Sequence, residues 1–94
     1  MTYLNVRHNV KDFGTWKTAF EGDAGRRRAE GSKSAQLFHD PEHPDSVSVL
    51  MEFETADKAR KFANDPALKE IMERAGVLGK PEITYLDLVQ RLDN

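Results

Sequence analysis

The spacing of hydrophobic residues along the chain changes from every second position to every third or fourth and back again. From about Tyr3 to His8 the two parities differ in polarity, which predicts a β-strand whose Leu4 side faces the helices. Beyond it, apolar residues recur at helical spacing, which predicts one helix capped by Asp12 and ended by Gly31. The inner stripe of this helix comprises Phe13, Trp16, Phe20 and Ala24.

Two glycines, Gly22 and Gly25, lie inside this predicted helix. Glycine in a helix interior costs about 1 kcal/mol relative to alanine, so both positions need a reason. Either another backbone approaches closely there, or the helix bends. The sequence alone does not choose between these explanations.

Two further strands are predicted on either side of a polar turn. The first runs from about Ala35 to Asp40 and the second from about Ser46 to Glu54, and prolines in the turn between them cannot continue a ladder. In the second of these strands apolar and polar residues alternate, except at Leu50. This exception is explained if a second copy of the chain covers the other face of the sheet.

A second helical region is interrupted at Asn64-Asp65-Pro66. Thr55 is placed to cap the first segment, and Asp65 with Pro66 at the first helical position is placed to start the second. Gly76 would end that segment, and a last strand is predicted from about Glu82 to Val89, followed by a mobile tail. The inner residues of the two segments are Ala56, Ala59, Phe62 and Ala63, then Leu68, Ile71, Met72 and Ala75.

The resulting order is strand, helix, strand, strand, helix, strand, which is the βαββαβ unit of a ferredoxin-like fold. Right-handed crossovers then give an α+β sandwich, with a four-stranded antiparallel sheet in the order 4132 and both helical regions on one face. We expect a single domain over residues 1–94. Because the other sheet face would be left uncovered, we predict a homodimer in which two sheets pack face to face and form a dimeric α+β barrel.

Composition narrows the classes of function. The formal charge is −2 and the sequence pI is about 5.9, so nothing favours binding to nucleic acid or to an acidic membrane. There is no cysteine, which fits a reducing compartment, and the N-terminus shows neither a signal peptide nor about 18 continuous apolar residues. We therefore expect a soluble, cytoplasmic protein.

Nearly the whole chain resembles the small dimeric α+β barrel proteins grouped with the antibiotic biosynthesis monooxygenases. This resemblance implies a ligand pocket between sheet and helices. Members with known activities include cofactor-free oxygenases of aromatic polyketides and haem-degrading enzymes, and many relatives have no assigned reaction. The segments that carry the resemblance are Val47-Ser48-Val49-Leu50-Met51-Glu52-Phe53-Glu54, Ala56-Asp57-Lys58-Ala59-Arg60-Lys61-Phe62, Asn64-Asp65-Pro66, Leu68-Lys69-Glu70-Ile71-Met72 and the closing strand.

The haem-degrading branch of this family is disfavoured by the residues at its signature positions. That branch carries a tryptophan in the second helical region and an iron-ligating histidine about ten residues later, where this chain has Phe62 and Met72. The branch's first-strand asparagine would correspond to Asn5, which the Leu4/Val6 parity directs away from the helices.

His8 is the candidate catalytic base. It is predicted to end the first strand on the helix-facing side, close to Trp16, and an imidazole that titrates near pH 6.5 can accept a proton at neutral pH. It could deprotonate a phenol-type substrate, whose anion then transfers an electron to dioxygen without a metal or flavin. The competing interpretation is a structural histidine bonded to loop backbone.

An aromatic and thioether cluster is predicted between the sheet and the helices. It would suit a flat apolar ligand, or its side chains would simply fill the space themselves. Tyr85 on the last strand is a further candidate, as a hydrogen-bond donor to the ligand. The cluster comprises Trp16, Phe20, Met51, Phe53, Phe62 and Met72.

His39 is predicted at the same sheet edge as His8, about two strand spacings or roughly 10 Å away, and is included as a substrate-binding candidate. The polar turn that follows His39 superficially resembles a set of metal ligands, but its spacing matches no known site, and no metal is predicted. Arg26-Arg27-Arg28 is explained as a solvated helix end, with capture of an anion from a partner subunit as the alternative.

The sequence therefore predicts a monooxygenase-like protein that acts on a small apolar or aromatic substrate without a bound cofactor. Two alternatives remain open. One is a non-catalytic or stress-related module that binds a small molecule, and the other is a cyclase or isomerase that uses the same pocket for acid/base chemistry alone.

Overall fold

The computed structural model describes residues 1–94 as a four-stranded sheet with four helices. Its elements, in chain order, are β1 (Thr2–Val10), α1 (Phe13–Gly22), α2 (Ala24–Ala29), β2 (Ser32–His39), β3 (Ser46–Phe53), α3 (Ala56–Ala63), α4 (Pro66–Arg74) and β4 (Val77–Asp87).

The sheet is antiparallel throughout and its strand order is β2-β3-β1-β4, which confirms the ferredoxin-like topology. Burial alternates strictly along the central strands: Leu4 and Val6 of β1 are buried under the helices, whereas Asn5 between them is only half-buried. The same alternation holds along β3, where Val47 and Val49 are buried. One face of the sheet therefore carries the core.

Three predicted helix starts are confirmed by their hydrogen bonds. The Asp12 carboxylate accepts from the Thr15 amide at 2.8 Å, and the Thr55 hydroxyl accepts from the Lys58 amide at 3.2 Å. At the interruption, the Asp65 carboxylate accepts from the amide of Ala67 at 3.0 Å. These bonds satisfy amides that have no partner within the helix.

The prediction of a single helix up to Gly31 is wrong. The first helix ends at Gly22, and a second one begins at Ala24 after Asp23, whose ψ of 11° departs from helical geometry. A Cβ atom added at Gly22 or Gly25 would meet nothing within 4 Å, so close approach of another backbone does not explain these glycines. The break between α1 and α2 falls between these two glycines.

The outer strands begin earlier than predicted. β2 starts at Ser32, and β4 starts at Val77 and absorbs the Gly79-Lys80-Pro81 segment. The β1·β4 ladder shifts register there, because Arg7 pairs with Glu82 while Asn9 pairs with Leu78. Three residues of β4 therefore lie opposite His8 alone, which makes a bulge beside that histidine. Gly79 has φ of +68°, a conformation that glycine adopts without strain.

The helix-covered face holds a core of eleven buried hydrophobic side chains, centred on Leu4, Val47, Phe53 and Phe62. The opposite face, here called the open face, combines polar residues with Leu50, Phe38, Leu78 and Leu86, of which the last three are 52%, 46% and 44% exposed. None of the helices is long and apolar enough to span a bilayer.

Candidate active site

A cavity of about 330 Å³ lies between the sheet and the helices. This volume is within the range of about 300–1,000 Å³ found for small-molecule sites. Most of its lining is apolar, and its polar residues are few. The side chains that define it are Val6, His8, Trp16, Phe20, Asp23, Arg26, Arg27, Val49, Met51, Phe62, Leu68, Ile71, Met72, Arg74 and Ala75, and Ala19 and Gly22 complete the wall.

His8 is the buried titratable base of this cavity. The residue is 7% exposed, and its Nδ1 atom is buried without any hydrogen-bond partner. Burial lowers the pKa of the imidazole below its usual value near 6.5, because the charged form loses its hydration. At neutral pH the ring is therefore neutral and able to accept a proton.

The His8 ring is held in place by Trp16. The two ring centroids are 5.5 Å apart at an interplanar angle of 72°, an edge-to-face contact. Trp16 in turn stacks on Phe20 at 5.2 Å, one helical turn further along α1. The predicted helical spacing of these aromatic residues therefore does place them on one wall of the cavity.

Six of the nine candidate residues from the sequence line the cavity. They are His8, Trp16, Phe20, Met51, Phe62 and Met72.

The other three candidates lie elsewhere. Phe53 is fully buried behind Phe62, at 5.5 Å between ring centroids. His39 and His8 both pair with Val47 from opposite sides, as predicted, but the His39 ring packs on Phe13 at 4.7 Å outside the cavity.

Tyr85 occupies the edge strand β4 on the helix-covered side. Its ring faces the Arg60 guanidinium at 5.8 Å and is 38% exposed. Tyr85 is not among the residues that line the cavity. Tyr85 therefore lies on the surface beside α3, outside the cavity.

The interpretation of Arg26-Arg27-Arg28 as a solvated helix end is wrong for Arg27, which is buried and lines the cavity. The residue is 8% exposed, its guanidinium lies 3.6 Å from the centroid of the Phe20 ring, and its Nη1 donates to the Phe20 carbonyl. Arg26 lies beside it, paired with Asp23 at 2.8 Å and Glu30 at 2.7 Å. The available signal was spacing, since Arg27 lies seven residues after Phe20 and therefore on the same helix face.

The polar turn between β2 and β3 is accounted for by local hydrogen bonds. The Asp40 carboxylate accepts from the amides of Glu42 and His43 at 2.8 and 3.0 Å, as is typical of turns that begin with aspartate. No three His, Asp or Glu side chains converge anywhere in the structure as metal ligands would.

Several solved structures share this fold over nearly their whole length. SnoaB, a cofactor-independent oxygenase from Streptomyces nogalater, superimposes with a TM-score of 0.74 at 16% identity, covering 99% of this chain and 96% of its own. A structure described as an antibiotic biosynthesis monooxygenase gives a TM-score of 0.71 at 13% identity, covering 96% and 100%. Rv0793 from Mycobacterium tuberculosis gives 0.69 at 11% identity, covering 98% of each chain.

At these identities the likeness shows the fold and leaves the reaction undetermined. No protein-family model and no curated protein matches the sequence. The class defined here is therefore the ferredoxin-like α+β fold of the antibiotic biosynthesis monooxygenase structures, with a mainly apolar cavity under its helices.

Proposed function

We propose that this protein binds a small planar aromatic molecule in the cavity and oxygenates it without a bound cofactor. One observation carries the proposal: a neutral, buried histidine borders a mainly apolar cavity whose walls are aromatic and thioether side chains. A base in such a place can deprotonate a bound substrate and leave the resulting anion without water around it.

The proposed reaction needs a substrate that itself supplies the electrons. A CH₂ group activated by flanking aromatic rings and a phenol fits this requirement. His8 removes a proton, and the substrate carbanion transfers an electron to dioxygen. The two radicals combine into a peroxide anion on the same carbon, which takes the proton back from the His8 imidazolium. Loss of water then converts CH₂ and O₂ into C=O and H₂O.

The cavity wall suits a planar aromatic substrate. Trp16 and Phe20 offer stacked rings for a planar substrate, while Met51 and Met72 supply flexible apolar contacts that adapt to its outline. Exclusion of water also protects the peroxide from side reactions.

The experiment uses a hydroxylated anthrone, whose CH₂ group enolises to a phenol, and ¹⁸O₂ gas. We expect oxygen uptake above the spontaneous rate and one ¹⁸O atom in the product carbonyl, read by mass spectrometry. The His8→Gln variant should lose about 100-fold or more of the catalysed rate, because a positioned base contributes about 10²–10⁴. His43→Gln, an exposed histidine in the polar turn, is the matched control and should keep the wild-type rate.

Three results would contradict this function. Equal rates for His8→Gln and wild type would remove His8 as the base. Exchange of substrate protons without oxygen uptake would favour the cyclase or isomerase alternative. Binding without any turnover would favour the non-catalytic module.

We also propose that the protein is a homodimer that buries the open face of its sheet. Leu50, Phe38 and Leu86 would meet their counterparts in a second copy, as the alternation of β3 first suggested. Sedimentation equilibrium should give twice the chain mass, and Leu50→Lys should shift the protein toward monomer because a lysine would be buried at the centre of the interface. A wild-type monomer at micromolar concentration would contradict this arrangement.

A further inference from the structure

We infer that the ligand of the cavity carries a carboxylate group, and that Arg27 binds it. This inference rests on the proposed function for the location of the ligand. It adds a chemical requirement, a negative charge at one side of an otherwise flat aromatic molecule.

The Arg27 side chain is largely withdrawn from water. The residue is 8% exposed and packs against the Phe20 ring at 3.6 Å. Of its five N–H donors, only one at Nη1 is bonded to the protein, to the Phe20 carbonyl. Arg27 lines the cavity, and its other donors have no hydrogen bond to a protein atom.

No acidic side chain forms an ion pair with Arg27, because the nearby acids are paired with another arginine. Asp23 and Glu30 are the nearby acids, and both are bonded to Arg26. No ion pair joins Arg27 to any acidic residue of the chain. Buried charges in proteins are normally paired, because desolvation of an unpaired ion is costly.

The pKa of Arg27 is lower than the usual value for arginine. Burial lowers it, and although Asp23 opposes that effect, the neighbouring charges of Arg26 and Arg28 add to it. A bound anion would relieve the same cost, because it would supply the missing opposite charge within the cavity.

The position of Arg27 also suits a substrate of the proposed kind. His8, Trp16, Phe20 and Arg27 form a continuous row in which each member contacts the next. An aromatic molecule lying along this row would have its reacting carbon near the histidine and a substituent near the guanidinium. A planar carboxylate matches the fork of arginine donors with two parallel hydrogen bonds.

The test compares two probes of nearly the same shape, the anion 2-naphthoate and the neutral 2-naphthamide. Calorimetric titration gives their affinities. The indole N–H resonance of Trp16, the only tryptophan of the chain, reports whether each probe enters the cavity. Wild-type protein should bind 2-naphthoate at least about tenfold more tightly than 2-naphthamide, because hydrogen bonds between two charged groups are stronger than those to a neutral amide.

The variants isolate the role of Arg27. Arg27→Gln should weaken 2-naphthoate about tenfold or more while 2-naphthamide changes less than about twofold. Arg27→Lys keeps the charge without the fork and should recover part of the lost affinity, which also covers the case that the glutamine variant folds poorly. Arg28→Gln, the exposed neighbour with the same change of charge, should bind both probes as wild type does.

The outcomes separate this inference from the proposed function. If both probes move the Trp16 resonance with equal affinity, or if Arg27→Gln weakens both equally, the carboxylate requirement is wrong and the aromatic cavity stands. If neither probe moves the Trp16 resonance, both proposals fail. Oxygenation of a neutral anthrone at full rate by Arg27→Gln would support the function and leave Arg27 to substrate selection alone.

Discussion

The helix-covered face of one sheet contains two regions that differ in how completely side chains fill them. The filled core, made of Leu4, Val47, Phe53 and Ala59, has no exposed surface at all. The cavity beside it is lined by side chains of similar type, among them Val6, Val49, Met51, Phe62 and Met72, yet encloses about 330 Å³.

This difference shows that apolar character alone does not distinguish core from pocket. Phe53 and Phe62 are adjacent aromatic residues with ring centroids 5.5 Å apart, and only Phe62 lines the cavity. What separates the two regions is the helix cover. The helix is broken at Asp23 between α1 and α2, and beyond the break an arginine, Arg27, stands where the apolar stripe would continue.

The two regions should differ most in how much stability is lost when a large side chain is replaced by alanine. Phe53→Ala should lower the free energy of unfolding by about 3–5 kcal/mol, because it opens a void in close-packed surroundings. Met72→Ala should lower it by about 1 kcal/mol, because that side chain is half-buried and already borders empty space. Urea unfolding of the two variants measures both values. Similar losses would mean that the cavity wall is packed as tightly as the core.

Replacing valines of β3 with a larger residue should also separate the two regions, with a smaller difference in the free energy of unfolding. Val47→Phe should destabilise by about 1–3 kcal/mol, since an added ring finds no room in the filled core. Val49→Phe directs the same ring into the cavity and should cost less than about 1 kcal/mol, while 2-naphthoate binding is lost. Equal destabilisation by both substitutions would show that the cavity does not persist in solution.

The smallest expected effect is the pH dependence of stability contributed by His8. Its pKa is lowered in the folded state, so between the folded value and the unfolded value near 6.5 the unfolded chain binds more protons. Stability should therefore fall as pH decreases below about 6.5, and the decrease should end once pH has passed below the folded pKa.

The measurement is urea unfolding as a function of pH for wild type and His8→Gln. The variant should lose stability less steeply than wild type in this window, since the carboxylates of the chain are common to both. Parallel curves would show that His8 is solvated, which would also weaken its role as a buried base.

The sequence predicts most of the fold because local signals and the global pattern agree. The caps Asp12, Thr55 and Asp65 lie where the structure has them, and the alternation of β1 and β3 sets the covered face. The start of β4 could not be predicted in this way. The bulge of β4 opposite His8 depends on pairing with a distant strand, and Gly79-Lys80-Pro81 has the local character of a turn.

The candidate site is predicted less completely, for a related reason. Helical spacing correctly brings Trp16 and Phe20 together, since it depends on α1 alone. The positions of Arg27, His39 and Tyr85 depend on how separate elements pack. A run of three arginines at a helix end is usually solvated, yet the middle one is buried and lines the cavity.

The most direct test of an occupied cavity uses the three methionines of the chain, Met1, Met51 and Met72. With ¹³C-labelled methionine methyl groups, addition of 2-naphthoate should shift the Met51 and Met72 resonances through the ring current of the probe and leave that of the exposed Met1 unchanged. Saturating probe that leaves the Met51 and Met72 resonances in place would contradict the account.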